Sequence, residues 1–181
     1  MSEVGMWPES DLERDLEQRW QALLLEVEAV FADVRKGDGI GIREAAQRDA
    51  THVDNPETRA ALIAARAADV EDRWQDIPKQ LLMQYEAPLM WTDNLGFRFM
   101  LPAYIRYALR SWYPQATAAH HQVEWLMAAL GGLAIFRLET AEFTTAQLTC
   151  VKHFIIWIKD CELVSIEDND LERLNNWLET H

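Results

Sequence analysis

Basic residues are scarce in this chain of 181 residues, and their scarcity excludes several classes of partner. Lys and Arg number 17 against 30 Asp and Glu, so the formal net charge is −13 at pH 7. Binding to nucleic acid requires basic side chains that displace counterions from the phosphates. Anionic membrane surfaces attract basic segments for a similar electrostatic reason. We therefore expect neither nucleic acid nor a membrane surface among the partners.

Long apolar runs and cysteines are also few. No stretch reaches the roughly 18 consecutive apolar residues of a membrane-spanning helix, and the first residues lack the basic and apolar regions of a secretory signal. Cys150 and Cys161 fall in one predicted helix, about 16 Å apart along its axis, which is too far for a disulfide. Reduced thiols suit the cytoplasm, so we expect a cytoplasmic protein.

The sequence motifs of common catalytic sites are missing. There is no P-loop, GxGxxG, GxSxG, CxxC or HExxH pattern. His120 and His121 are adjacent, so on a helix they project about 100° apart and cannot form the face of a zinc protease. Cys150 precedes His153 by one helical turn, but no helix N-terminus is expected nearby to activate the thiol. We assign no catalytic residue, metal ligand or cofactor.

Helical periodicity dominates what remains. Apolar residues make up 49% of the chain, enough for a sizeable core in a single domain. Apolar positions three and four residues apart predict a long helix over residues 10–36, which Ser10 and Glu13 begin as a capping box and Gly37 ends. Residues 1–9 are expected to form a tail, and residues 10–181 the helical domain.

Cap signals place the other helices. Asn55 precedes Pro56 at a helix start, and Thr144 with Gln147 forms a second capping box. Pro102 is placed in the first turn of a helix that follows a non-helical stretch. The further predicted helices cover residues 42–49, 56–72, 78–85, 102–112, 116–130, 144–161 and a last segment beginning near 170. Alternation with period two is nearly absent. The predicted class is therefore all-α, with about seven or eight helices and little or no sheet.

Three short motifs resemble those of an uncharacterised bacterial family of small soluble proteins. Val34-Arg35-x-Gly37-Asp38-Gly39-Ile40 is followed by Arg73-Trp74-x-Asp76-Ile77-Pro78 and by Gly96-Phe97-Arg98-Phe99-x-Leu101-Pro102-Ala103, which is the specific part of the pattern. Met100 stands where that family usually has an aromatic residue. The resemblance covers about residues 20–160. It supports the fold and adds little about function, because the family has no established activity.

Arg98 of the third motif has two interpretations. Because two Phe residues flank it, Arg98 can serve as scaffold, by stacking on aromatic rings or by pairing with Asp93 or Asp76. Alternatively, Arg98 and Tyr104, together with Asp93 and Glu44, form the pocket of an enzyme or of a small-ligand-binding protein.

An acidic cluster near the C-terminus suggests a protein partner. No Lys or Arg lies between residues 160 and 172, where the cluster comprises Glu162, Glu167, Asp168 and Asp170. These carboxylates are either a solvated loop and helix start or a docking surface for a basic partner. Trp7 and Trp177 lie off the apolar stripes and are expected to be exposed, as interface tryptophans often are.

These observations predict an acidic protein that acts by stoichiometric binding and not by turnover. Negative surfaces of this kind attract basic partners and speed their association. The specific hypothesis is an immunity- or antitoxin-like inhibitor of a basic toxin. The alternative is the enzyme or ligand-binding protein with a pocket around Arg98 and Tyr104.

Overall fold

The computed structural model describes residues 11–51, 53–85, 88–112, 126, 141–160, 173, 176, 177, 179 and 180. The α-helices of these ranges are α1 Asp11–Val30, α2 Ile42–Asp49, α3 Pro56–Ala68, α4 Lys79–Gln84, α5 Asn94–Trp112 and α6 Thr145–Asp160. Single 3-10 turns lie at Trp74–Asp76 and Pro88–Trp91. Within the described ranges the only β-type pairing is an isolated bridge between Arg35 and Arg73. The predicted all-α class is confirmed.

Six α-helices are described, against seven or eight predicted for the whole chain. The predicted helix at 116–130 and most of the last one fall outside the described residues, as do the tail at 1–9 and Ser10 of the first capping box. None of the helices that the structure describes combines the length and apolarity that crossing a membrane demands.

The core forms where α1 packs against α5 and α6. Leu23 and Val27 of α1 and Ile155 of α6 are buried, which confirms the apolar stripes predicted for those two helices. The ring of Phe143, which precedes α6, meets Phe97 of α5 edge to face at 6.1 Å between ring centres. These contacts give α5 a central position, and Asp93, which directly precedes this helix, lines the candidate site described below.

The first helix ends at Val30 and not at residue 36, so that prediction was wrong. Side chains from distant parts of the chain bond to two carbonyls, that of its last residue and that of the residue after it. Gln147 Nε2 donates to the carbonyl of Val30 at 3.1 Å, and Trp74 Nε1 donates to that of Phe31 at 2.7 Å. A helix C-terminus must find such donors, and here they come from tertiary contacts that no local pattern reveals.

The prediction that Pro102 begins a helix was also wrong. Helix α5 begins at Asn94, and Pro102 lies inside it. Proline in a helix interior lacks the N–H that would bond to the carbonyl four residues earlier, at a cost of about 3 kcal/mol. Phe97, Leu101 and Ile105 are fully buried on this helix. Burial of such side chains contributes about 1.5–3 kcal/mol each, which outweighs the loss at Pro102.

Two of the predicted local caps are confirmed. Thr144 and Gln147 form the reciprocal capping box, with N–H to oxygen distances of 3.1 and 3.2 Å. Asn55 Oδ1 accepts from the N–H of Thr58 at 2.8 Å, and Pro56 follows it at the first helical position. Helix α3 has no buried residue, so it lies at the edge of the domain. The short helix predicted over 42–49 has those bounds.

Candidate functional site

Asp93 joins the start of α5 to the loop that precedes α2. Its Oδ1 accepts hydrogen bonds from the backbone N–H of Gly96 at 2.7 Å and of Ile40 at 3.1 Å. The first bond caps α5, and the second fixes the loop against it. A Cβ atom on Gly96 would collide with the carbonyl oxygen of Ile40, so only glycine allows this approach of two backbones.

Asp69 performs the same task for α2. Its two carboxylate oxygens accept from the backbone N–H groups of Arg43 and Glu44, both at 2.9 Å. The side chain is buried, and it lies so close to Gly41 that a Cβ atom there would collide with it. Asp69 thus caps α2 from a distant segment of the chain, whereas Asp93 directly precedes α5 and caps it locally.

The motifs that carry the family resemblance therefore hold the fold together. The segment 37–41 packs against the first turn of α5, where the segment 96–103 begins. The close approach of neighbouring atoms to Gly39, Gly41 and Gly96, and the two aspartate caps, explain why those residue types occur at these positions. The motifs position the neighbouring surface, to which they contribute Ile40, and Asp93 of that surface lies three residues before the third motif.

Ion pairs stabilise the buried carboxylate of Asp69. Arg43 Nη1 lies 3.3 Å from Asp69 Oδ1, and the Arg43 guanidinium also binds Glu71 with two hydrogen bonds of 2.7 and 3.0 Å. The hydrogen bonds from Arg43 hold the pKa of Glu71 below its ordinary value. They raise the pKa of Arg43 in return, so both groups stay charged across the neutral range.

Glu44 is buried between two arginines. Its Oε1 accepts from Arg48 Nε at 3.2 Å and from Arg48 Nη2 at 2.8 Å. Arg66 Nη1 lies 3.3 Å from Oε2, which accepts no hydrogen bond from the residues that the structure describes. Glu44 was predicted as a ligand-binding residue, but it is engaged in holding Arg48 and Arg66 in place.

A cleft with a volume of about 680 Å³ opens beside Asp93. Helix α2, the start of α3 and the 3-10 turn Pro88–Trp91 surround it, and α2 packs against both of the other elements. Three apolar side chains of its lining remain open to solvent: Val53 is 63% exposed, Trp91 41% and Met90 36%. This concave surface with an apolar rim is the candidate functional site.

Most charges that line the cleft are already paired. Arg48 is held by Glu44, and Asp54 forms two hydrogen bonds of 2.6 and 2.7 Å with Arg59. The Arg59 hydrogen bonds lower the pKa of Asp54. Asp93 differs, because it makes no ion pair with any residue of the described ranges. The unpaired charge of this lining is therefore negative.

The residues predicted for a ligand pocket are not brought together at this cleft. Asp93 lines it, whereas Arg98 and Tyr104 do not. The Tyr104 hydroxyl is buried, donates to the carbonyl of Tyr85 at 2.9 Å, and has a pKa raised well above its ordinary value by that burial. Arg98 pairs with neither Asp93 nor Asp76, and its Nε is buried without an acceptor among the described residues.

The expected exposure of Trp177 was wrong, because its side chain is only 3% exposed. Trp177 follows Leu174 by three positions in the sequence, so it borders the predicted apolar stripe, and a ring of that size reaches the core from there. The other predicted partner-binding residues fall outside the described residues, namely Trp7, Glu162, Glu167, Asp168 and Asp170.

Sequence reasoning missed Trp91, Val53 and Arg48 as members of a site. The available signal was the pair Met90-Trp91, two large apolar residues that end two positions before the helix cap Asp93 of α5. Because apolar residues in such a position are usually buried, only the tertiary structure distinguishes this exposed pair from core.

Cys150 and His153 offer no activated nucleophile. Burial, together with the nearby charge of Glu26, raises the pKa of the Cys150 thiol to about 12. The thiol is free, as predicted, and stays protonated at neutral pH. His153 Nδ1 lies 2.9 Å from Glu26 on the exposed surface between α1 and α6. Within the described part of the chain, no three His, Cys, Asp or Glu side chains are grouped as metal ligands.

Comparison with known proteins identifies the family. The model of DUF6714, a family of unknown function, matches residues 20–180. No curated protein and no solved structure matches the chain. The predicted relation to an uncharacterised family is thereby confirmed, and because the match spans most of its length, the chain belongs to the DUF6714 family.

Proposed function

We propose that this protein acts by stoichiometric binding of a basic protein. The observation that carries the proposal is the exposed apolar rim of the cleft, formed by Val53, Met90 and Trp91, in a chain whose formal net charge is −13. Contiguous apolar groups that stay open to solvent are typical of protein-binding surfaces. Trp and Met are enriched at such interfaces. An acidic field attracts a basic partner and speeds its association.

The described ionisable groups support binding over turnover. Asp69 and Asp93 are engaged by backbone N–H groups, and Glu44 by arginines. The thiol of Cys150, with a pKa of about 12, is a poor nucleophile at neutral pH. These groups act in the architecture, and none of them is paired with a general base or acid at the cleft.

The specific role that we propose is an immunity- or antitoxin-like inhibitor of a basic toxin in the cytoplasm. Such an inhibitor needs a rigid acidic surface and no chemistry of its own. A buried free thiol at Cys150 is consistent with a reducing compartment. The acidic cluster around Glu162 to Asp170 stays a predicted second contact surface.

The test is a titration with a partner captured from the native host by the immobilised chain. After the partner is purified, we expect a 1:1 complex with a protein of pI above about 9. If the partner is a toxin, its activity should fall linearly and reach its minimum at one equivalent. Inactivation of many equivalents by one chain would indicate an enzyme. Failure to form a saturable complex with any basic protein would overturn the proposal.

A further inference from the structure

We infer that the cleft beside Asp93 binds an arginine or lysine side chain of the partner, with the cationic group between the ring of Trp91 and the Asp93 carboxylate. This inference rests on the proposed function, because it names the surface on which the basic protein is held. Two features of the cleft favour a cation: one of its charges lacks an ion-pair partner among the described residues, and the side chains around that charge suit a cationic group.

The charge of the lining favours a cation. Arg48 is paired with the buried Glu44, which also pairs with Arg66 outside the lining, and Asp54 is paired with Arg59. Asp93 is the lining charge that no described residue neutralises, since Arg98, the arginine closest to it in the sequence, does not pair with it. An approaching cation therefore gains an ion pair, whereas an approaching anion meets an uncompensated negative charge.

The geometry of Asp93 leaves one oxygen available. Both backbone N–H groups, of Ile40 and Gly96, donate to Oδ1. Oδ2 makes no hydrogen bond within the described residues, and the side chain is exposed. Because the two bonds to Oδ1 fix the carboxylate, Oδ2 is oriented without further ordering. A preorganised acceptor of this kind binds a guanidinium or ammonium with less loss of side-chain entropy.

The apolar part of the lining fits the rest of such a side chain. Trp91 presents an exposed ring two residues before Asp93, and a cation over an indole ring is attracted by its quadrupole. Val53, Leu62 and Met90 line the same cleft and can cover the aliphatic stem of an arginine or lysine. A volume of about 680 Å³ also accommodates residues that flank the cationic one.

Blocked five-residue peptides test the inference directly. The probe is acetyl-Gly-Leu-Arg-Leu-Gly-amide, and its controls carry citrulline or Glu in place of Arg, because citrulline keeps the shape of Arg without its charge. Binding is followed by the indole N–H signal of Trp91 in two-dimensional NMR, assigned by its absence in Trp91→Phe. We expect a saturable shift with the Arg peptide at concentrations up to about 10 mM and none with either control.

Matched variants assign the binding energy to the two residues. Asp93→Asn keeps an oxygen that can accept from both backbone N–H groups, removes the charge and replaces the Oδ2 acceptor by an NH2 donor. Its affinity for the Arg peptide, measured by isothermal titration, should fall roughly two- to fivefold, and that of Trp91→Ala by a similar factor. Asp33→Asn and Met83→Ala change an exposed charge and an exposed apolar residue outside this lining. They should bind as the wild type does, and thermal melting checks that all four variants are folded.

Several results would overturn the inference. One is that the indole N–H signal of Trp91 does not shift with the Arg peptide, and another is that it shifts equally with the Arg and citrulline peptides. A third is that folded Asp93→Asn and Trp91→Ala bind the Arg peptide with unchanged affinity. The proposed function is judged separately. If a basic partner binds folded Trp91→Ala as tightly as wild type, the proposed function stands and the binding surface lies elsewhere. If no basic partner is found, the proposed function fails whatever the peptides show.

Discussion

The carboxylate of Asp69 lies directly against Gly41, where a Cβ atom would collide with it. This contact allows Asp69 to reach the first backbone N–H groups of α2 from a position that follows α3. Glycine is required here because of the space that the carboxylate occupies. Gly37 differs, because it has a left-handed φ of +55° and open space around its Cα.

The two glycines should therefore respond differently to substitution. Gly41→Ala should lower the free energy of unfolding by about 1–3 kcal/mol, the usual effect of overpacking. Gly37→Asn should change it by less than about 1 kcal/mol, because Asn tolerates a left-handed φ. Asp69→Ala should lower it by about 1–3 kcal/mol through loss of the cap and of buried hydrogen bonds. Urea unfolding measures all three. A neutral Gly41→Ala would contradict the close contact.

Truncation of the core should be costly where the helices α1 and α6 meet. Leu23→Ala and Ile155→Ala each remove a buried side chain and should lower the free energy of unfolding by about 2–5 kcal/mol. Leu25→Ala is the matched control, since Leu25 lies on the same helix as Leu23 and is 72% exposed. The free energy of unfolding of this control should lie within about 0.5 kcal/mol of the wild-type value. Equal free energies of unfolding for Leu23→Ala and Leu25→Ala, measured by urea unfolding, would show that the apolar stripe of α1 is not in the core.

The pair of Arg43 and Glu71 predicts a pH dependence of stability. Because the folded-state pKa of Glu71 is lowered, its contribution is present above the unfolded pKa and is lost as the pH falls through the folded one. Glu71→Gln should therefore be less stable than wild type at pH 7. The difference should shrink as the pH falls below the ordinary glutamate pKa of about 4.3 and then through the lower pKa of the folded state. Thermal melting of both proteins from pH 3 to 7 measures this difference in stability. A difference that does not change with pH would show that the ion pair of Arg43 and Glu71 is not its cause.

Arg98 allows the scaffold and ligand interpretations to be separated. Its Nε is buried with no acceptor in the described ranges, and an unsatisfied buried donor is destabilising by about 1–3 kcal/mol. Arg98→Met keeps much of the side-chain volume and removes that donor, so it should unfold at an equal or higher urea concentration than wild type. Unchanged partner binding would then exclude Arg98 from the binding surface. A stable variant that no longer binds would instead place Arg98 at the functional site.

Local chemistry accounts for what could be predicted. The reciprocal bonds of Thr144 with Gln147 and the cap of Asn55 on Thr58 involve groups three residues apart. Residues at that separation meet in a helix start whatever surrounds them. The candidate site could not be predicted in this way, since Asp93 and Ile40 are far apart in the sequence and meet only after folding.

The sequence alone determined the all-α class, the starts of α2, α3 and α6, and the acidic charge, because helical periodicity, caps and composition are properties of neighbouring residues or of their sum. Tertiary structure decided where α1 ends, through donors supplied by Trp74 and Gln147. It also decided that α5 continues through Pro102, that Trp177 is buried and that Trp91 stays exposed beside Asp93. Each of these outcomes depends on which distant groups supply a hydrogen bond or exclude water, and only the packed chain brings those groups together.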